Sequence, residues 1–117
     1  MQLDDAKQLI VAALEEVKAV DLKILDVRGI SSFTDLMIIA SGTSTRHVKA
    51  LSDKVIEDSK KSGLRPLGVE GERDAEWVLV DFGDIVVHVM HPQTRDFYNL
   101  EKLWSVGERN STGFMAG

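Results

Sequence analysis

The 117 residues suffice for one domain with a single hydrophobic core, and the absence of cysteine excludes a disulfide framework, a thiolate metal site and a cysteine nucleophile. The formal charge of −5, from 14 Lys and Arg against 19 Asp and Glu, argues against a general nucleic-acid binder and favours a basic protein partner, although mild acidity also serves solubility alone. No stretch approaches the roughly 18 apolar residues of a membrane span and the N-terminus has no signal-peptide pattern, so we expect a cytoplasmic protein without a membrane partner.

The first predicted element is an amphipathic helix that begins near Asp4 and Asp5, whose carboxylates suit the positive end of the helix dipole. Apolar residues recur on one side at helical spacing: Ala6, Leu9, Ile10, Ala13, Leu14 and Val17. This stripe predicts a helix that packs on a core and carries no chemistry.

Two strands and a second helix follow. Residues 22–28 predict a strand, residues 29–35 a polar connection, and the wholly apolar residues 36–40 a central strand buried on both faces. A helix is predicted over residues 45–62, with Ser44 as N-cap and Gly63 just beyond its end. Because residues 64–69 then return to the sheet, we expect a βαβ crossover that places two parallel strands beside each other, next to a hairpin.

The hairpin is the most informative segment, with two apolar runs separated by Gly83 and Asp84. A turn centred on Phe82 and Gly83 would set Asp81 against Asp84, and like charges directly opposite are unfavourable. The preferred register gives an apolar core face with the pairs Phe82–Ile85, Val80–Val87 and Val78–Val89. The other face is mixed, with the pairs Asp81–Val86, Leu79–His88 and Trp77–Met90.

After the hairpin, Pro92 can open a helix that reaches Trp104, with Phe97, Leu100 and Leu103 or Trp104 as apolar positions. Residues 105–117 are Gly- and Ser-rich without periodicity and predict a disordered tail. The fold class is therefore α/β or α+β, a single domain over residues 1–104 with a mixed sheet of about five strands and flanking helices.

Catalytic and metal sites are only weakly indicated. Gly42, Thr43 and Ser44 between a strand and a helix could hold an anion near Arg46 and His47, but ordinary capping explains them and no P-loop lysine follows. Nothing in the pattern fixes the mutual geometry of the candidate carboxylates, which are Asp26, Asp35, Glu70, Glu72, Asp81 and Asp84. No catalytic triad or zinc-ligand spacing is present. We expect no catalytic residues, no metal and no cofactor.

The mixed hairpin face predicts a protein-binding surface, with Trp77 as an aromatic anchor. Its residues are Trp77, Leu79, Asp81, His88 and Met90, joined by Tyr98 from the last helix. A second core layer under a helix, with the indole N–H and imidazole bonded internally, fits the pattern equally well. Asp81 and His88 favour partial exposure, because both are awkward in a dry layer.

Several motifs together resemble the ribosomal silencing factor family, also called iojap-like. They are SSFTD from Ser31, SGTSTRHV from Ser41, PLGVEG from Pro66, WVLVDFGDIVVHVM from Trp77 and YNLEKLW from Tyr98. The resemblance covers about residues 3 to 104. It implies a nucleotidyltransferase-like fold and a protein that binds the large ribosomal subunit at its protein fourteen.

By that resemblance, occupancy of the site prevents joining of the small subunit and lowers translation when nutrients are short. We also consider a homodimer of the isolated protein. The alternative function is a nucleotidyltransferase-like enzyme that uses residues 42–44 for phosphate and Asp81 or Asp84 for metal.

Overall fold

A computed structural model describes residues 1–100 and Lys102, and in this part of the chain three helices flank one five-stranded sheet. The elements are α1 Leu3–Glu16, β1 Val20–Asp26, β2 Leu36–Ser41, α2 Thr45–Lys61, β3 Gly68–Glu70, β4 Trp77–Asp81, β5 Ile85–Met90 and α3 Pro92–Tyr98. The strand order is β1-β2-β5-β4-β3, with β2 and β5 parallel and the other neighbours antiparallel. The predicted single domain with a mixed sheet is confirmed. None of the described helices is long and apolar enough to cross a membrane.

The two faces of the sheet carry different cores. Alternate residues of the central strands, such as Ile38, Val78 and Val87, pack with the buried stripes of α1 and α2 in the main core. On the opposite face a smaller cluster contains Val27, Met37, Ile39 and Met90, with Leu25, Trp77 and Leu100 packed against it. The period of two in a strand produces this division, since neighbouring side chains point to opposite faces.

The predicted hairpin register is confirmed at every pair. Val78 lies opposite Val89, and Val80 lies opposite Val87, on the face toward the helices. The N–H of Phe82 donates to the carbonyl of Ile85 at 2.9 Å, which closes the turn around Gly83 and Asp84. Gly83 has φ +88, a left-handed conformation that glycine adopts without strain.

The predicted crossover through α2 does join two parallel strands of one sheet, but the prediction that β2 and β3 are neighbours is wrong, because the hairpin strands lie between them. β3 lies at the sheet edge and pairs antiparallel with β4, while the parallel neighbour of β2 is β5. Every residue of β2 is buried, and β5, buried at all but one position, offers it an apolar neighbour. Residues 64–70 suit an edge instead, because Pro66 lacks an N–H and Val69 is the one residue of β3 that is not exposed.

The ends of α1 and α2 follow the predicted signals. α1 begins at Leu3, next to Asp4 and Asp5. The Ser44 hydroxyl accepts the His47 N–H at 3.1 Å as the N-cap of α2, and Gly63 follows the helix with φ +85. β1 begins two residues earlier than predicted and ends at Asp26, with a bulge near Asp21, which has φ 52.

The last helix is shorter than predicted. Pro92 opens α3 as expected, but the helix ends at Tyr98 because Asn99 takes a left-handed conformation and its N–H bonds to the Arg95 carbonyl. Leu100 and Lys102 are helical again, and Leu100 packs on the smaller core. Leu103, Trp104 and the predicted tail of residues 105–117 lie outside the described residues.

Candidate interaction surface

The mixed hairpin face lies on the side of the sheet away from α1 and α2, as its register predicts. Met90 is fully buried and His88 is 5% exposed, whereas Trp77, Leu79 and Asp81 are partly exposed. The expectation of partial exposure is therefore right for Asp81 and wrong for His88. Met90 packs beneath Trp77, and both belong to the smaller core.

His88 is satisfied inside the protein by Trp77. The indole Nε1–H donates to His88 Nδ1 at 2.9 Å, and the ring centroids are 5.9 Å apart. An indole nitrogen only donates, so Nδ1 must be unprotonated in this arrangement. Burial lowers the pKa of His88 from 6.5 to about 4, because the charged imidazolium would lose its hydration. His88 thus acts as a neutral acceptor that fixes the orientation of Trp77.

Two exposed aromatic residues of α3 extend this arrangement outward. The ring centroids of Tyr98 and Trp77 are 4.8 Å apart, and the ring planes are inclined by 49°. Phe97 contacts Tyr98 edge to face at 4.9 Å. Phe97 is 80% exposed and Tyr98 54% exposed, so two neighbouring rings of α3 are open to solvent. The sequence had placed Phe97 among the packing residues of the helix.

An open cavity of about 340 Å³ lies beside these rings. Trp77, Phe97 and Tyr98 line its aromatic side, and Asp74 and Glu76 supply carboxylates; we call these five residues the aromatic groove. Sequence patterns missed Asp74 and Glu76 as site residues because they lie in a connecting loop without periodicity. Phe97 was missed because its helical spacing suggested a packing role. The acidic run from Glu70 to Glu76 was the available signal.

Gly71 sets the path of that loop. It has φ +87, and a Cβ atom on it would stand 2.0 Å from the Trp77 carbonyl oxygen, closer than any side chain could tolerate. The Gly71 carbonyl then accepts the N–H of Ala75, which is itself buried. This tight reversal holds Asp74 and Glu76 next to Trp77.

α3 is anchored by Arg95, a buried residue that the sequence did not single out. Its Nη1 donates to the Ser41 hydroxyl at 2.9 Å, at the end of β2, and its Nη2 lies 3.9 Å from Asp21 Oδ2. Because Arg95 is two residues before Phe97, this contact helps hold the two exposed rings in place.

Asp81 lies away from the aromatic groove. It is at the opposite end of β4 from Trp77, and its Oδ1 accepts the Gly83 N–H at 2.8 Å, so it stabilises the hairpin turn. Leu79 lies between the two, opposite His88. Of the six predicted contact residues, the structure therefore brings together Trp77, His88, Met90 and Tyr98, with Leu79 alongside.

The strand-to-helix turn before α2 has internal partners for its polar groups. The Gly42 N–H bonds to the Met90 carbonyl at 3.1 Å, and the Thr43 N–H donates to His47 Nδ1 at 2.8 Å. The other ring nitrogen of His47 lies 2.7 Å from the Val17 carbonyl oxygen, which links α1 to α2. A Cβ on Gly42 would stand 2.7 Å from the Val48 nitrogen, so close packing explains the glycine. These contacts agree with capping.

The candidate carboxylates are dispersed. Asp26 pairs with Arg28, and the hydrogen bonds from that side chain lower the pKa of Asp26 to about 2. Within residues 1–100 and Lys102, no group of three or more His, Asp or Glu side chains is placed to hold a metal ion.

Comparison with known proteins identifies the family. The sequence model described as "Ribosomal silencing factor during starvation" matches residues 1–114. The chain belongs to the ribosomal silencing factor family. It is 44% identical over 98 residues to a ribosomal silencing factor of Haemophilus influenzae, covering 84% of this chain and 96% of that protein.

A crystal structure of a Chromobacterium violaceum protein matches this silencing-factor chain with a TM-score of 0.88 and 44% identity, covering 90% of this chain and 88% of that one. A mouse protein named mitochondrial assembly of ribosomal large subunit protein 1 is 37% identical over 101 residues. That match covers 84% of this chain and 44% of the mouse protein. The predicted family is thereby confirmed.

Proposed function

We propose that this protein binds the large ribosomal subunit, chiefly through its protein fourteen, and blocks joining of the small subunit by occupying the contact surface. Family membership and the named role of its relatives in silencing ribosomes support a ribosomal partner. The single structural observation that carries the proposal is the aromatic groove, where two large aromatic side chains project into solvent above a rigid base.

The binding surface we propose is formed by six residues, of which buried His88 and Met90 support the others without touching the partner: Trp77, Leu79, Asp81, His88, Met90 and Tyr98. Tyr98 and the exposed parts of Trp77, Leu79 and Asp81 would meet the partner. Aromatic side chains that become buried on binding dominate the energy of protein interfaces. His88 and Met90 would act from below, because they fix Trp77 in a single orientation.

Silencing by occupancy requires no bond to be made or broken, so a stable folded surface suffices. The net charge of −5 favours approach to a basic ribosomal protein. The same exposed rings offer a contact for self-association, and we propose that any homodimer of the free protein competes with ribosome binding. The cytoplasmic location remains a prediction.

A sucrose gradient of purified subunits tests the function. Added protein should move the large subunit out of the joined-ribosome peak and should itself co-sediment with the large subunit. Glu57→Gln on α2, across the sheet from the groove, is the matched control and should act like the wild type. A joined-ribosome peak that persists at saturating protein would reject the proposal. A rise in Tm with nucleotide and Mg²⁺ would favour the enzyme instead.

A further inference from the structure

The aromatic groove carries two carboxylates that the described part of the chain leaves without a cationic partner. Asp74 and Glu76 are exposed, they line the cavity, and neither forms an ion pair with a described Lys or Arg. Among residues 1–100 and Lys102, those that line the cavity include no Lys or Arg. The groove thus combines negative charge with the faces of aromatic rings, the two features that attract a cation.

The shape of the groove suits one side chain. Its volume of about 340 Å³ is at the lower limit of small-molecule pockets, which run from about 300 to 1,000 Å³. The Trp77 and Tyr98 rings meet at 49°, so they form a corner instead of a flat platform. Long cationic side chains place an apolar stem against such surfaces and keep the charged group at the polar rim.

We propose that the aromatic groove takes a single lysine or arginine side chain of the basic protein partner, an inference that rests on the proposed function above. The stem packs on Trp77 and Phe97, and the cationic head lies between the ring of Tyr98 and the carboxylates of Asp74 and Glu76. An anionic group would be repelled there, and a purely apolar side chain would cover the two carboxylates without compensating their lost hydration.

Direct binding of a small cation tests the groove without the ribosome. In an NMR titration, arginine amide at millimolar concentration should shift the Trp77 indole N–H resonance, which a Trp77→Phe sample assigns. Citrulline amide has nearly the same shape and the same α-amino group but an uncharged side chain, so it should shift the resonance far less than arginine amide does. The Asp74→Asn/Glu76→Gln double variant should lose the response to arginine amide. Equal shifts with both ligands would overturn the proposal.

Binding to large subunits supplies the second arm. Removal of each carboxylate should raise the Kd for large subunits about twofold to fivefold, which corresponds to the free energy of an exposed ion pair. Glu72→Gln is the matched control, an exposed acidic residue of the same loop outside the groove, and should bind as the wild type does. Tyr98→Leu keeps a bulky side chain but removes the aromatic ring that faces the cation, so it should raise the Kd about tenfold.

The outcomes separate the two proposals. If the wild type fails to bind large subunits, the proposed function is wrong, and this inference, which names a side chain of that partner, is overturned with it. If the wild type and the double variant bind large subunits equally well, the proposed function stands, but the proposal that the groove takes a cationic side chain is wrong. Shifts at Trp77 that follow protein concentration and ignore arginine amide would assign the groove to a second copy of the chain, which also overturns the proposal.

Discussion

The two faces of the sheet are built from the same strands but are covered differently. On one face α1 and α2 enclose a core that includes Ile38, Val78 and Val87, all fully buried. On the other, Leu25, Trp77 and Leu100 pack against a smaller cluster, and Tyr98, whose ring contacts Trp77, remains exposed together with Phe97. The first face stabilises the protein, whereas the second carries exposed aromatic side chains in the described part of the chain and is the partner surface that we propose.

Adjacent residues of β2 give the sharpest test of this difference. Ile38 and Ile39 are both fully buried, but they point to opposite faces. Ile38→Ala should lower the free energy of unfolding by about 4 kcal/mol, within the range for buried Ile truncations, because the cavity lies between the sheet and two helices. Ile39→Ala should cost about 2 kcal/mol, since the smaller cluster can collapse more easily. Denaturant melts measure both, and equal losses would remove the distinction.

The second prediction concerns pH and His88, the buried titratable group of the proposed partner surface. Its folded pKa of about 4 lies below its ordinary 6.5, so the unfolded chain binds the proton more readily between these values. The contribution of the neutral His88 to the free energy of unfolding is therefore fully present above pH 6.5 and is lost as pH falls through about 4. At about 1.4 kcal/mol per pKa unit, the loss is roughly 3 kcal/mol.

His88→Gln is the matched variant for that test. The Gln side-chain oxygen can still accept the indole N–H, but the amide does not titrate. Unfolding free energies measured from pH 8 to pH 4 should fall more steeply in the wild type than in the variant. Parallel curves would contradict the assignment of a buried neutral imidazole.

The third prediction separates binding from stability on the two faces. Trp77→Ala should weaken binding to the large subunit by about 2 kcal/mol or more, as aromatic hot spots do, while the protein remains folded. Val87→Ala, on the helix-covered face, is the control and should lose stability with little change of affinity in the folded fraction. A folded Trp77→Ala protein that binds like the wild type would reject the partner surface.

The smallest expected effect is on the association rate. Because the protein has a net charge of −5 and the proposed partner is basic, attraction should speed the encounter. The rate should fall severalfold between about 50 and 300 mM salt, since the Debye length shortens over that range. The Asp74→Asn/Glu76→Gln variant should show a weaker dependence. A rate that is independent of salt would exclude steering by charge.

The sequence alone determined the local structure. Alternation of apolar residues and the Gly83–Asp84 turn defined every pair of the hairpin, because a one-residue slip would move each side chain to the wrong face. Ser44 and Gly63 marked the ends of α2 for equally local reasons, since capping depends on residues within a turn of the helix end. Several ordered motifs identified the family.

Only the tertiary structure decided the order of the strands and which residues meet in the aromatic groove. The sequence placed β3 beside β2, but long-range pairing of two buried strands set β5 there instead, and no local signal records such a choice. His88 looked too polar for a dry layer until Trp77 supplied its hydrogen bond. Asp74 and Glu76 lie in a loop that Gly71 turns through local contacts, but Phe97 comes beside them because Arg95 anchors α3 to Ser41, a residue far away in the chain.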